Sequence, residues 1–330
     1  MQARIGLNLD HIEGLSDSEA QNDLGARFEV TRAALGLHGQ ASENLRTRIL
    51  FNVIEGETEG WEVQVRDLHA VLSLTENGDH RIRAGVQPLA FGVGDRFQRA
   101  RTGYLFAGNR ALTVAEQAGI LDERDLGLTY QSRFSDQQGS FELMVHNGTG
   151  SQVRDDNTSK DLSARLRYRL LSGPQGEEAT EDTSGPRSSP SGLVAQVSAH
   201  AGFDGAQGDD QARTYAVSGE WRSNGFAILS EYLWGDSMVE DSSVPFLVSM
   251  SAASLDLSTP GTWLEKVTVV GRFGFHDPDT GLDDASAWML IDGGLVQTWS
   301  TQRGNAAHTL INYDVVVPMD ITADVEHGLT

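Results

Sequence analysis

The sequence predicts an all-β chain, a transmembrane antiparallel β-barrel of sixteen strands. Some fifteen stretches show period-2 hydrophobicity, and the turns between them alternate between short and long. No apolar run reaches the roughly 18 residues that a membrane-crossing helix needs. The pattern is sharpest in Leu162-Ser163-Ala164-Arg165-Leu166-Arg167-Tyr168-Arg169-Leu170. Leu162, Ala164, Leu166, Tyr168 and Leu170 share one face, and Arg165, Arg167 and Arg169 share the other. Each arginine turned to the lipid midplane would cost about 2–4 kcal/mol. A one-residue slip would turn out all three, so the register is strongly pinned. Such a strand needs two solvents, lipid outside and water inside.

In chain order, strands are expected at 2–11, 28–39, 45–55, 61–74, 80–88, 124–134, 140–147, 161–171, 192–203, 212–222, 225–235, 245–257, 263–275, 286–299 and 306–318. Six of the connections after even-numbered strands centre on Ser42-Glu43-Asn44, Glu76-Asn77-Gly78-Asp79, Asp136-Gln137-Gln138-Gly139, Ser223-Asn224, Thr259-Pro260-Gly261 and Gln302-Arg303-Gly304-Asn305. They are short and rich in the Asn, Gly and Asp that tight hairpins use. Connections after odd-numbered strands are mostly longer and polar, as in 12–27, 148–160 and 236–244. Segment 173–191, rich in Pro, Ser, Gly and Glu, is a flexible insertion on the short-turn side. A sixteenth strand would begin near His327 and stop short of the ~9–11 residues a barrel strand needs, so most of the closing strand is expected to be missing. The opening Met1-Gln2-Ala3-Arg4-Ile5 already alternates, which implies a start after a removed leader. Residues 1–330 read as one barrel domain with 89–123 as its long third loop. Aromatics such as Trp61, Trp221, Phe226, Tyr232, Trp234, Phe246, Trp263, Phe275, Trp288 and Trp299 lie near strand ends. Interfacial girdles would put them there, as would ordinary aromatic enrichment in strands.

The formal charge of −22 is expected to sit on hydrated loops, where it repels nucleic acid. The absence of cysteine removes disulfides and thiolate-bound metals. Lysine occurs only at Lys160 and Lys266, so the basic charge is nearly all arginine, whose fork suits oxyanions.

From strand 80–88 onward the chain resembles the phosphate- and polyphosphate-selective porins of Gram-negative outer membranes. Arg81-Ile82-Arg83-Ala84-Gly85-Val86-Gln87-Pro88-Leu89-Ala90-Phe91-Gly92 is similar to that family's strand leading into the third loop. Glu123-Arg124-Asp125-Leu126-Gly127 resembles the Arg-Asp-x-Gly opening its next strand, and Val145-His146-Asn147-Gly148-Thr149-Gly150 the end of the one after. Segments 220–234 and 267–277 look like its later paired strands. The resemblance implies a trimeric sixteen-stranded barrel with loop 3 folded into the lumen. The family's anion-selective members use lysine-rich lumens, whereas lysine is nearly absent here.

The expected function is passive conduction of small hydrophilic solutes across the outer membrane, with anion or phosphate preference set by arginines. Alternation turns Arg46, Arg48, Arg81, Arg83, Arg165, Arg167 and Arg169 toward the lumen. There they could form an anion ladder or pair with inward acids such as Glu142, Glu220 or Glu231. The third loop adds Arg96, Arg99, Arg101 and Arg110 as a candidate constriction. Asp277, Asp279 and Asp283 alternate around a glycine and read first as a solvated hairpin loop, second as a calcium site. The histidines show no metal-ligand spacing. No nucleophile elbow, P-loop or zinc-protease motif occurs, so neither enzyme activity nor a cofactor is expected. Expected partners are small solutes or anions, outer-membrane lipid and two further copies of the chain. A non-conducting surface barrel and a soluble all-β binding protein are the alternatives.

Overall fold

The computed structural model describes residues 2–9, 12–13, 29–30, 32–55, 61–93, 123–136, 138–148, 159–172, 192–204, 210–223, 226–239, 242–257, 267–277, 287–300, 306–318 and 326–329. Its strands are β1 Gln2–Leu9, β2 Ile12–Glu13, β3 Glu29–Val30, β4 Arg32–Gln40, β5 Leu45–Glu55, β6 Trp61–Ser73, β7 His80–Pro88, β8 Arg124–Phe134 and β9 Gly139–His146. They continue as β10 Asp161–Ser172, β11 Gly192–Asp204, β12 Asp210–Ser223, β13 Phe226–Val239, β14 Ser242–Leu257, β15 Val267–Asp277, β16 Trp288–Ser300, β17 Ala306–Pro318 and β18 Glu326–Leu329. All but β2 and β3 form one sixteen-stranded antiparallel meander in chain order, and β2 and β3 pair separately.

The inside-out distribution of side chains follows from the alternation. On β10, Leu162, Leu166, Tyr168 and Leu170 are exposed, while Asp161 and Ser163 are buried. The same holds along the sheet: Leu68, Leu128, Val145, Val197, Val217, Ile228, Phe273 and Ile291 lie outward, and Asp67, Gln131, Glu142, Gln196, Glu220 and Arg272 lie within. An apolar belt of that extent left in water would drive aggregation. In lipid it is the stable arrangement, and the strand ladders satisfy the backbone groups there. This belt weighs against the soluble alternative.

Aromatic pairs mark two levels of the belt. Phe134 stacks on Tyr168 (6.4 Å) and Trp221 meets Phe226 edge-on (5.6 Å), both near the short turns. Tyr215 and Tyr232 pack on Trp234 at 5.8 and 5.3 Å, toward the other end. Tyr215 and Trp221 lie on one strand, about 20 Å apart at β spacing.

The sheet must curl. The backbone N–H of Val93 donates to Glu231 Oε1 at 2.7 Å. Val93 follows β7, and Glu231 stands on β13, six strands further on. In a flat sheet that gap would be about 29 Å. Five residues, 89–93, reach at most about 18 Å. Only a barrel brings the two together through its interior.

Two expectations on element bounds are corrected. The strand expected at 28–39 divides, because Glu29–Val30 pairs with Ile12–Glu13 as a separate ribbon. The long connection expected at 236–244 shrinks to 240–241, since Ser237, Met238 and Val239 still pair with Val244, Ser243 and Ser242. Beyond the lipid both faces of a hairpin meet water, so pairing continues where the period-2 signal ends. The strand expected at 263–275 is described from Val267 to Asp277; its first four expected residues, like 258–262 and the insertion 173–191, lie outside the described residues.

One glycine is obligatory on backbone grounds. Gly85 has φ +123°, and a Cβ there would stand 2.1 Å from the Leu68 carbonyl oxygen. It faces Gly127 across the β7–β8 ladder.

Candidate functional site

The lumen wall is built by the inward positions of β5 to β15. Arg46, Val71, Arg83 and Thr129 form one cross-strand row, and Arg48, His69 and Gly85 the next. Arg81, Gln131, Glu142 and Arg165 form another, on the short-turn side of the first. The seven sequence-predicted lumen arginines thus occupy alternate positions on β5, β7 and β10, with one strand between the first two and two between the last two.

Their electrostatic roles differ. Arg48 Nε pairs with Asp67 at 3.0 Å, and Asp67 also meets Arg124 Nε at 3.3 Å. Arg124 bonds Glu123 as well, and Arg66 approaches the same carboxylate at 3.7 Å. Arg165 pairs with Glu142 at 2.5 Å, and Gln131 donates to the other Glu142 oxygen at 3.0 Å. Arg167 is 4.0 Å from Glu220, which also bonds Arg222. Two of the expected acids, Glu142 and Glu220, therefore neutralise arginines, while Glu231 holds the Val93 N–H. Arg46, Arg83 and Arg169 have no carboxylate partner among the described residues. Among the described residues these three guanidinium charges are not offset by an ion pair.

The third loop enters the lumen from its first residues. Its base is closed by a hydrogen bond from Leu89 N–H to the Glu123 carbonyl (3.1 Å). Phe91 is fully buried in one apolar cluster with its neighbours Leu89 and Ala90 and with Met144, Ala216, Leu233, Phe246, Val248 and Met250 of the inner wall. The Gly92 carbonyl accepts from Arg165 Nη1 at 3.1 Å and from Gln196 Nε2. Segment 89–93 is thereby fixed from β10, β11 and β13 at once. Arg96, Arg99, Arg101 and Arg110 lie outside the described residues. Asp277 ends β15, and its companions Asp279 and Asp283 are also outside them.

Several lumen residues escaped the sequence reading. Asp67 sits at a bulge: the β5–β6 register shifts between Leu50 and Phe51, leaving Arg66 as the extra residue. The adjacent charges Arg66-Asp67, which break the alternation, were a readable signal for it. Arg133, Arg222 and Arg272 face inward by the same parity as their strands, but lie singly between apolar or small neighbours. The apolar inner patch on β13 and β14 was invisible, because both faces of β14 carry apolar residues.

A buried polar knot lies beside Phe91. His146 bonds Asp125 through Nδ1 (2.8 Å) and Ser163 Oγ through Nε2 (2.9 Å). That is the hydrogen-bond order of a serine hydrolase, yet Ser163 lies within β10, paired to Met144 on one side and His200 on the other. The neighbouring N–H groups are spent in ladders and do not make an oxyanion hole.

No family model matches the chain, and no curated protein matches it. Solved structures do. The outer membrane channel DcaP of Acinetobacter baumannii superposes with a TM-score of 0.61 at 12% identity, covering 99% of this chain and 94% of that one. OprB of Pseudomonas putida gives 0.56 at 8% identity, with 99% and 90% covered. An anion-selective porin from Comamonas acidovorans gives 0.54 at 11%, with 100% and 94% covered. The curled sixteen-stranded meander, its inward loop and these whole-length likenesses establish the fold as that of the outer-membrane porins.

Proposed function

We propose that the chain is a bacterial outer-membrane porin, a passive channel for small hydrophilic solutes that prefers anions and assembles as a homotrimer. The observation that carries the reading is the inward course of 89–93, which narrows a polar lumen beside a wall with surplus arginine. Arginine forks replace part of the hydration of a carboxylate or phosphate, and water in the lumen keeps that binding weak enough to release. One protein of the same fold is itself described as an anion-selective porin. The acidic chain as a whole opposes this preference at the mouth. The local wall charge decides because a solute meets it at contact distance, within the roughly 8 Å over which salt leaves charges unscreened.

A second reading, a non-conducting barrel, draws on the apolar contact between Phe91 and the β13–β14 wall, which fills part of the lumen. Liposome swelling separates the two. Vesicles carrying the protein are expected to swell in small sugars and faster in small carboxylates. Folded protein whose vesicles swell no faster than empty ones would favour the second reading.

A further inference from the structure

The knot beside Phe91 contains a donor set that neither transport nor the loop anchor uses. His146, Asp161 and His200 come from β9, β10 and β11, and their ligand atoms all lie within 4.8 Å of one another. All three residues are buried.

Asp125 accepts hydrogen bonds from the Leu126 and Gly148 N–H groups at 2.6 and 2.5 Å. With the Asp125 oxygen as the acceptor of the 2.8 Å bond, Nδ1 of His146 carries the hydrogen between them. The other nitrogen, Nε2, then accepts from the Ser163 hydroxyl at 2.9 Å, a lone pair that an ion would take over as the hydroxyl turns away. A carboxylate behind an imidazole is the arrangement that orients metal-binding histidines. Among the described residues neither ring nitrogen of His200 has a hydrogen-bond partner, and its Nε2 stands 3.4 Å from Asp161 Oδ2. That separation matches the edge of a tetrahedron with bonds of about 2.0–2.1 Å.

Glycines keep the space open. A Cβ on Gly148, whose φ is +89°, would come within 2.5 Å of Asp161 Oδ2. One on Gly202 would lie 3.3 Å from both Asp161 Oδ2 and His200 Cε1. The carboxylates of Asp125 and Asp161 match the two charges of a divalent ion.

We propose that His146 Nε2, His200 Nε2 and Asp161 bind one divalent transition cation of the zinc class. Two imidazoles and one carboxylate suit such an ion, whereas calcium and magnesium ask for more oxygen ligands. Ser163, water or a solute carboxylate takes the fourth position. Phe91 packs edge-on against His200 (6.4 Å, 79°), so the ion ties the wall of β9, β10 and β11 to the inward loop.

The test uses the full chain purified in detergent, titrated calorimetrically with zinc and monitored by visible absorption with cobalt. One zinc per chain is expected, with the intense bands of four-coordinate cobalt. His200→Ala and Asp161→Asn are each expected to weaken binding about tenfold or more, while Glu43→Gln, at an exposed turn, leaves it unchanged. Wild-type protein that binds no zinc, or only as weakly as all three variants do, would overturn the proposal. So would stoichiometric binding that survives His200→Ala. The wild-type titration decides even if a variant misfolds.

Discussion

Phe91→Ala is expected to raise single-channel conductance roughly two-fold or more, by releasing the start of the third loop from the lumen wall. Phe91 is fully buried among Leu233, Phe246, Val248 and Met250. Removing a buried phenyl ring costs about 3–5 kcal/mol. Here that loss falls on the docking of 89–93 and spares the strand ladders, so the barrel stays folded while the segment comes loose. Beyond the base bond at Leu89, the remaining polar ties are the hydrogen bonds at the Phe91 and Gly92 carbonyls and the Val93 N–H, each worth about 1 kcal/mol, or somewhat more to a charged partner. Adding Gln196→Ala removes one of them and should widen the pore further. Neither substitution changes charge, so ion selectivity should move little. Unaltered conductance in folded Phe91→Ala would mean that this segment does not limit the pore.

Asp67→Ala is expected to destabilise the barrel by about 3–5 kcal/mol, less whatever lumen water recovers. Asp67 is 1% exposed and stands between Arg48 and Arg124. Its loss leaves both guanidinium groups without the carboxylate they share, in a lumen where replacement counter-charge is scarce. Arg124 also holds Glu123, whose carbonyl closes the loop base, so the damage reaches the constriction. The urea midpoint for unfolding in detergent should fall, with Asp67→Asn recovering only the part due to shape. A midpoint equal to that of the wild type would show that the pairs are fully solvated.

The fold was legible in the sequence because a barrel wall writes its two solvents into alternate positions. The strands expected at 45–55, 80–88, 124–134 and 306–318 have the observed bounds. Legibility ended where one solvent surrounds both faces, as at the β13–β14 hairpin, and where an inserted residue reset the parity, as at Arg66. The inward direction of Arg165, Arg167 and Arg169 was readable for the same reason as the strands. Which of them remain unneutralised was not, since pairing depends on register across strands distant in sequence, such as Arg165 with Glu142. His146 and His200 show the same limit. Their spacing carries no motif, and only the β9–β10–β11 ladder brings them together.

Reversal potential in planar bilayers under a salt gradient reads out a water-filled pore whose wall carries surplus arginine. A potential of anionic sign is expected for the wild type. It should shift toward zero when Arg46, Arg83 and Arg169 are changed together to glutamine. Cation preference unmoved by that triple change would contradict the arginine wall, and folded, heat-modifiable protein that passes no current would contradict the pore itself.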